Sequence, residues 1–209
     1  MAQIYIIGGI PRCGKSIIAR QLSAQLGIPL IEGDAIRRGL RSSLFGMPEV
    51  FAPEITFNGV AQYHPIGIKE RTEQRFEFNG HENELTLRAL EGVINHYEAN
   101  NQDAIIEGPM IEPDWARELS NKGHTVKSLF VGYLVDSHFE SIKSYAANNE
   151  HDWINGLNDE QRDKYRDVWL RKSHQLKSVS DKNGQLFIDI SNYDNFDKYI
   201  VDAIAKIQG

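Results

Sequence analysis

What this chain lacks narrows its class before any motif is read. It has a single cysteine, Cys13, in 209 residues, so no disulfide can form within it, and a reducing, cytoplasmic setting is expected. No apolar run approaches the ~20 residues that a membrane-spanning helix needs, so no membrane partner is expected. The first apolar run, Ile4 to Ile7, is short and has no basic region ahead of it; it reads as a strand and not as a secretion signal. Positive charge is not in excess. Lys and Arg number 23 against 29 Asp and Glu, a net charge of −6, which argues against a protein that grips nucleic acid through a broad basic face. Repeats, low-complexity tracts and linkers are missing, so residues 1–209 are expected to form one domain. His81, His124 and His174 are isolated and give no metal-ligand spacing.

What is present is organised around Gly9-Ile10-Pro11-Arg12-Cys13-Gly14-Lys15-Ser16, which reads G-x-x-x-x-G-K-S. Average residue frequencies make this pattern a ~1% event in a chain of this length. Its context makes chance less probable still. A β-prone segment precedes it, and Ile18, Leu22 and Leu26 follow at helical spacing until Gly27. Strand, glycine loop and helix thus stand in the order that a phosphate-binding loop requires. Glycines let successive N–H groups turn toward phosphate oxygens, and the helix N-terminus adds partial positive charge. Gly9 to Ile17 are therefore the candidate nucleotide-binding residues. Lys15 is placed to bridge the β- and γ-phosphates and Ser16 to ligate Mg²⁺, so ATP and Mg²⁺ are the expected co-substrate and metal. Cys13 reads as a small loop residue, although its oxidation would block phosphate binding.

The rest of the chain alternates strand and helix. Ile28 to Ile31 is a second strand ending in Glu32-Gly33-Asp34. Residues 35–80 are irregular and carry three of the seven prolines, a pattern of short helices and loops that suits a substrate cap. A helix is expected over 81–99, a third strand over 103–107, a short helix over 115–122 and a fourth strand over 126–135. Asp136 caps a further helix. The pattern breaks at 148–152, and Asn158-x-x-Gln161 reads as a capping box opening a long helix. A fifth strand over 186–190 and a helix over 196–207 close the chain. Such alternation predicts an α/β fold in which a parallel sheet carries helices on both faces. Ligands then bind at the carboxyl ends of the strands. The glycine loop, Asp34 and Glu107 all stand at such ends.

These residues divide the chemistry. A carboxylate at Asp34 can accept the proton of an attacking hydroxyl and touch substrate, or merely favour a helix start, as Glu32 also can. Glu107, at the usual place of a Walker B acid, can tune the Mg²⁺ shell or bind substrate, or be a solvated strand end. Arg37 and Arg41 share a helix face with Arg38 beside it, a set that suits a carboxylate or phosphate through bidentate guanidinium contacts, or forms a solvated basic face. His64, Lys69, Arg71 and Arg75 are further cap candidates. Arg162 and Arg166, four apart, share a helix face near the loop after the fourth strand. The stretch over about 148–166 resembles the place where P-loop kinases carry a mobile lid, whose arginines neutralise charge on a transferring phosphoryl group. Pairing with Asp159, Asp163 or Asp167 is the other reading.

The loop at 9–16, Glu-Gly-Asp after the second strand, Ile-Ile-Glu-Gly after the third and the arginines after the fourth together resemble the small P-loop kinases. These include the nucleoside-monophosphate, shikimate and gluconate kinases. Ala104 to Ile111 is similar to the 2-phosphoglycerate kinase-like branch. The resemblance implies a five-stranded parallel sheet in the order 2-3-1-4-5. It also implies Asp34 as base and Arg162 or Arg166 as lid residues. Glu32 stands where related sugar-acid kinases often have a first aspartate, which leaves open which acid acts. The expected function is ATP-dependent phosphoryl transfer to a small anionic metabolite such as a sugar acid or phosphoglycerate. A nucleoside or nucleotide kinase is the alternative enzyme, and a nucleotide-dependent switch the alternative of another class. The Asn/Thr-Lys-x-Asp signature of guanine switches is absent, as is the ABC-transporter signature.

Overall fold

In the computed structural model the glycine loop leaves the middle strand of the main sheet. The structure describes residues 1–44, 56–57, 60–61, 72–136, 138–148, 153–192 and 195–209. Strands β1 (Ile4–Gly9), β2 (Leu30–Glu32), β5 (Ala104–Glu107), β6 (Val126–Gly132) and β7 (Leu186–Asp189) form one parallel sheet in the order β2-β5-β1-β6-β7. Numbered among themselves, these strands run 2-3-1-4-5, as the sequence implies. A small antiparallel hairpin, β3 (Thr56–Phe57) and β4 (Val60–Ala61), is separate from it.

Helices cover both faces: α1 (Lys15–Leu26) packs with α7 (Phe196–Gln208), and α4 (Pro113–Asn121) with α6 (Asp159–Asn183). Every residue of β1 and β5 is buried, which is why both read as unbroken apolar runs and not as alternating ones. Ile4, Ile6, Ile7, Ile18, Leu22, Leu90, Ile94, Ile105, Ile106, Phe130 and Tyr199 make up the centre of the core.

Helix boundaries follow local chemistry. Left-handed glycines end α1 at Gly27 and α6 at Gly184, each with φ near 67°. The capping box that opens α6 is formed in both directions: Gln161 N donates to Asn158 Oδ1 at 2.9 Å, and Asn158 N donates to Gln161 Oε1 at 3.0 Å.

Three elements differ from expectation. Helix α2 (Gly33–Leu44) is one continuous helix where irregular structure was expected from residue 35. Helix α3 (Thr72–Ala99) begins nine residues before the expected 81 and runs through Asn79-Gly80. Glu73, Gln74, Arg75 and Glu77 are good helix formers, but they carry no apolar stripe, so periodicity does not register them. Strand β6 stops at Gly132, three residues short of 135. The next two N–H groups leave the ladder for side chains: Tyr133 N donates to Ser173 Oγ, and Leu134 N to Asp189 Oδ1 and Ser191 Oγ, all at 3.2 Å. The remaining helix, α5 (His138–Ala147), follows β6. Among the described residues no helix is long and apolar enough to cross a membrane.

Candidate active site

The glycine loop is held open by backbone geometry that few sequences permit. Gly9 has φ 134°, and a Cβ there would run into the Val131 carbonyl. Gly14 has φ 75°, and a Cβ would stand 2.8 Å from Cζ of Phe196. Arg12 takes φ 68° without being glycine, the kind of local strain that a rigid surround must hold in place. That surround is visible. Ile10 N donates to Val131 O at 3.2 Å, and the buried Tyr199 hydroxyl donates to Cys13 O at 2.7 Å. Removing that hydroxyl by Tyr199→Phe orphans a buried carbonyl, so a loss of ~1–3 kcal/mol in urea unfolding is expected. An unchanged midpoint would show that the loop does not depend on this contact.

Helix α1 opens differently from α6 and α7. Asn158 and Asn195 cap those two, whereas α1 opens on Gly14 with no capping side chain among the described residues. Its first N–H groups are thereby left for an anion. Ile10 and Cys13 are fully buried, Pro11 is half-buried and Ile17 is exposed. The Cys13 thiol is pushed up to about 12, chiefly by burial, so the residue is a space-filling one with an inert sulfur.

Two charged side chains are buried here. Lys15 is 6% exposed, and its Nζ donates to Ile10 O at 2.7 Å. Glu107, also 6% exposed, accepts from Ser16 Oγ at 3.1 Å. In the sheet Glu107 sits opposite Ile7 of β1 and Glu32 of β2. Burial lowers the Lys15 pKa and raises that of Glu107, and each one's charge opposes the other's shift. The Ser16 hydrogen bond also favours ionised Glu107, while Asp34 and Glu32 disfavour it. The end of β5 is thus a buried acid bonded to the loop hydroxyl, not a solvated strand end.

The other acids separate. Glu32 turns to the surface and pairs with Arg20 at 2.9 Å. Asp34, in the first turn of α2, is half-exposed and pairs with Arg37 at 2.7 Å. Arg37 keeps a buried Nε that has no hydrogen-bond partner among the described residues. Arg38 is exposed; the side chains of Arg41 and Arg75 lie outside the described residues, as do His64, Lys69 and Arg71.

Arg162 and Arg166 stand on the first two turns of α6, and both are paired. Arg162 meets Asp159 at 3.3 Å, and its Nε is buried without a partner among the described residues. Arg166 meets Asp163 at 2.9 Å, Asp167 at 3.2 Å and Asp136 at 3.3 Å. The structure therefore joins Ser16 to Glu107 directly and brings Lys15 and Asp34 within electrostatic reach of Glu107. It holds the two arginines on aspartates, of their own helix and, for Arg166, also on Asp136 after β6. Sequence reading missed Tyr199, Glu112 and Lys172. Lys172 bonds Glu112 at 3.2 Å and has a charge that acts on Lys15. The helical spacing of α6 was a signal for Lys172, since it lies beside the Arg162, Arg166, Trp169 and Ser173 stripe.

No family model matches the chain. A stretch of 106 residues, 49% of this chain, is 28% identical to an uncharacterized protein of Dictyostelium discoideum, of whose length it takes up 12%. Solved structures match over nearly the whole chain. The shikimate kinase of Bacteroides thetaiotaomicron does so with a TM-score of 0.58 at 15% identity, covering 99% of this chain and 96% of that one. The dephospho-CoA kinase of Campylobacter jejuni gives 0.57 at 14% identity, covering 100% and 96%. The gluconokinase of Sinorhizobium meliloti gives 0.53 at 14% identity, covering 99% and 91%. The chain has the P-loop kinase fold. At these identities the likeness concerns the fold alone. None of the three is a 2-phosphoglycerate kinase, and that likeness rests on Ala104 to Ile111 by itself. On the P-loop kinase fold the residues just described stand where strand ends meet the glycine loop, so the function has to be argued from their chemistry.

Proposed function

We propose that the protein is an ATP-dependent phosphotransferase acting on a small anionic metabolite, a sugar acid or phosphoglycerate-like compound. One observation carries this reading: Lys15, Ser16 and Glu107 meet at one sheet edge beside the uncapped N-terminus of α1. A buried ammonium bonded to a loop carbonyl is a poor stabilising device, because desolvation offsets most of what the contact contributes. It makes sense as a cation kept ready for phosphate.

Within this proposal the loop N–H groups and Lys15 bind the phosphates of ATP, with Lys15 leaving the Ile10 carbonyl. Ser16 Oγ and the Glu107 carboxylate form a hard oxygen donor pair that fits Mg²⁺. When bound, the ion supplies positive charge to the phosphate oxygens. Asp34 accepts the proton of the acceptor hydroxyl as its oxygen bonds to the γ-phosphorus and the bond to the bridging oxygen of ADP breaks. Arg37 orients Asp34 and offers its free Nε to the acceptor's anionic group, with Arg38 and Arg41 beside it on α2. Arg162 and Arg166 reach the transferring group when the lid closes, exchanging their aspartates for phosphate oxygens.

The test is ADP release from Mg²⁺–ATP across sugar acids, phosphoglycerates, nucleosides and nucleotides. Release that depends on a sugar acid or phosphoglycerate is the expected result. Release with nucleosides or nucleotides alone would transfer the assignment to a nucleotide kinase. Nucleotide binding without turnover across the panel would indicate a switch.

A further inference from the structure

The region around β1 has a cation that the phosphate-loop motif does not contain. Lys172 lies on α6, and the level of α6 against the sheet is set by its neighbour. Ser173 Oγ accepts from Tyr133 N at 3.2 Å, and a Cβ on Gly132 would stand 2.8 Å from that oxygen. Gly132 and Tyr133 directly follow Val131, whose carbonyl accepts from Ile10 N of the glycine loop. Lys172 is therefore at the carboxyl edge of the sheet, level with the loop.

Its partner comes from the other direction. After Glu107 the chain crosses β1: the Ile111 carbonyl would be 2.6 Å from a Cβ on Gly8. Glu112 follows at once, at the N-cap of α4. It does not cap that helix; its Oε1 lies 3.2 Å from Lys172 Nζ. The two side chains thus meet beside the ends of β1 and β6, where the glycine loop begins. The charge of Lys172 is also among those that act on Lys15, and it opposes the protonation of Lys15. Two ammonium groups brought within reach of each other disfavour one another until an anion lies between them.

We propose that Lys172 is a second cation for the terminal phosphoryl group of the bound nucleotide, parked on Glu112 until the nucleotide arrives. This rests on the nucleotide reading above. The exchange is energetically easy. Lys172 is one-third exposed and Glu112 half-exposed, and ion pairs of that kind contribute only ~0–1 kcal/mol. A phosphoryl group that carries more than one negative charge, approached also by Lys15, is the stronger partner. Arg162 and Arg166 lie nearer the N-terminus of α6 and are tied to aspartates, whereas Lys172 acts from beside Ser173, which bonds the end of β6, without lid movement.

The test needs no knowledge of the acceptor. Binding of Mg²⁺–ADP and of the Mg²⁺ complex of the non-hydrolysable β,γ-imido analogue of ATP is measured by calorimetry on wild type, Lys172→Met, Lys172→Arg and Glu112→Gln. Lys172→Met is expected to weaken the imido analogue ~10- to 100-fold, the span of one charge-assisted hydrogen bond, and to leave ADP unchanged. Lys172→Arg is expected to restore the preference for the triphosphate. Glu112→Gln, which releases the lysine, is expected to bind the analogue as well as wild type or a few-fold better. Equal losses for both nucleotides, or none for either, would overturn the assignment of Lys172. Circular dichroism and the urea midpoint show whether each variant is folded. Wild type that binds neither nucleotide would remove the nucleotide reading itself, a failure seen before any Lys172 variant is compared.

Discussion

Lys15→Ala is expected to reduce phosphoryl transfer at least ~10²- to 10³-fold, the loss typical of removing one preorganised donor to a developing charge. The protein should stay folded. The lysine is buried, but its contribution to stability is small because one hydrogen bond to Ile10 O stands against the desolvation of an ammonium group. Alanine also takes a cation away from buried Glu107, which burial already drives toward its protonated form. Lys15→Met removes the same cation but fills the space, so it isolates the cavity that alanine leaves: it should be as inactive as alanine and no less stable than alanine. Activity is read as ADP release with the acceptor identified in the panel, and folding as the urea midpoint. Turnover at the wild-type rate in a folded Lys15→Ala protein would remove the glycine loop from the reaction.

Asp34→Asn is expected to lower kcat ~10²- to 10⁴-fold, the range for loss of a general base, with Mg²⁺–ATP affinity unchanged. The reason lies in the geometry of the three acids. Glu107 is bonded to Ser16 and buried, which in the proposed mechanism leaves it to the metal side of the site. Glu32 is committed to Arg20 on the surface. Asp34 alone of the three is both half-exposed and oriented by an arginine of its own helix. Asparagine keeps the shape and one hydrogen bond to Arg37 but cannot take a proton at neutral pH. If nucleotide affinity fell and kcat did not, Asp34 would belong to the metal shell, and the assignment of the base would be wrong.

Much of the fold was readable because its signals are local. The apolar strands, the helical spacing after Lys15, the Asn158–Gln161 capping box and the glycines at 27 and 184 each act within a few residues. Boundaries failed where a distant partner decided them or where helix propensity acted without an apolar stripe. Strand β6 ends at Gly132 because Ser173, Asp189 and Ser191 take the next two N–H groups, and no window around 132 contains those residues. Helix α3 reaches back to Thr72 on residues that carry helix propensity without an apolar face. The site divided in the same way. Gly9 to Ser16 announced itself, since the backbone conformation it needs restricts residue types so tightly. Glu107 was open between an acid for metal or substrate and a solvated strand end; the register sets it between Ile7 and Glu32, buried against Ser16, which rules out the solvated end. The reading of Arg162 and Arg166 had two sides, and the structure shows their aspartate pairing directly.

The sequence by itself determined that a glycine loop of the phosphate-binding pattern sits between a buried strand and a helix, and that strands and helices alternate around a parallel sheet. Those properties follow from short-range sterics and from hydrophobic periodicity, which neighbouring residues carry among themselves. Only the tertiary structure decided which charges keep company with that loop. Lys15 with Glu107, Tyr199 with Cys13, and Lys172 with Glu112 are separated in the chain by 60 or more residues; the first depends on the pairing of β1 with β5, the second on how α7 packs, and the third on how α6 and the segment after β5 settle on the sheet. Electrostatic effects act through space and are strongest where water is excluded. The order of residues along the chain says little about them until packing has brought the groups together.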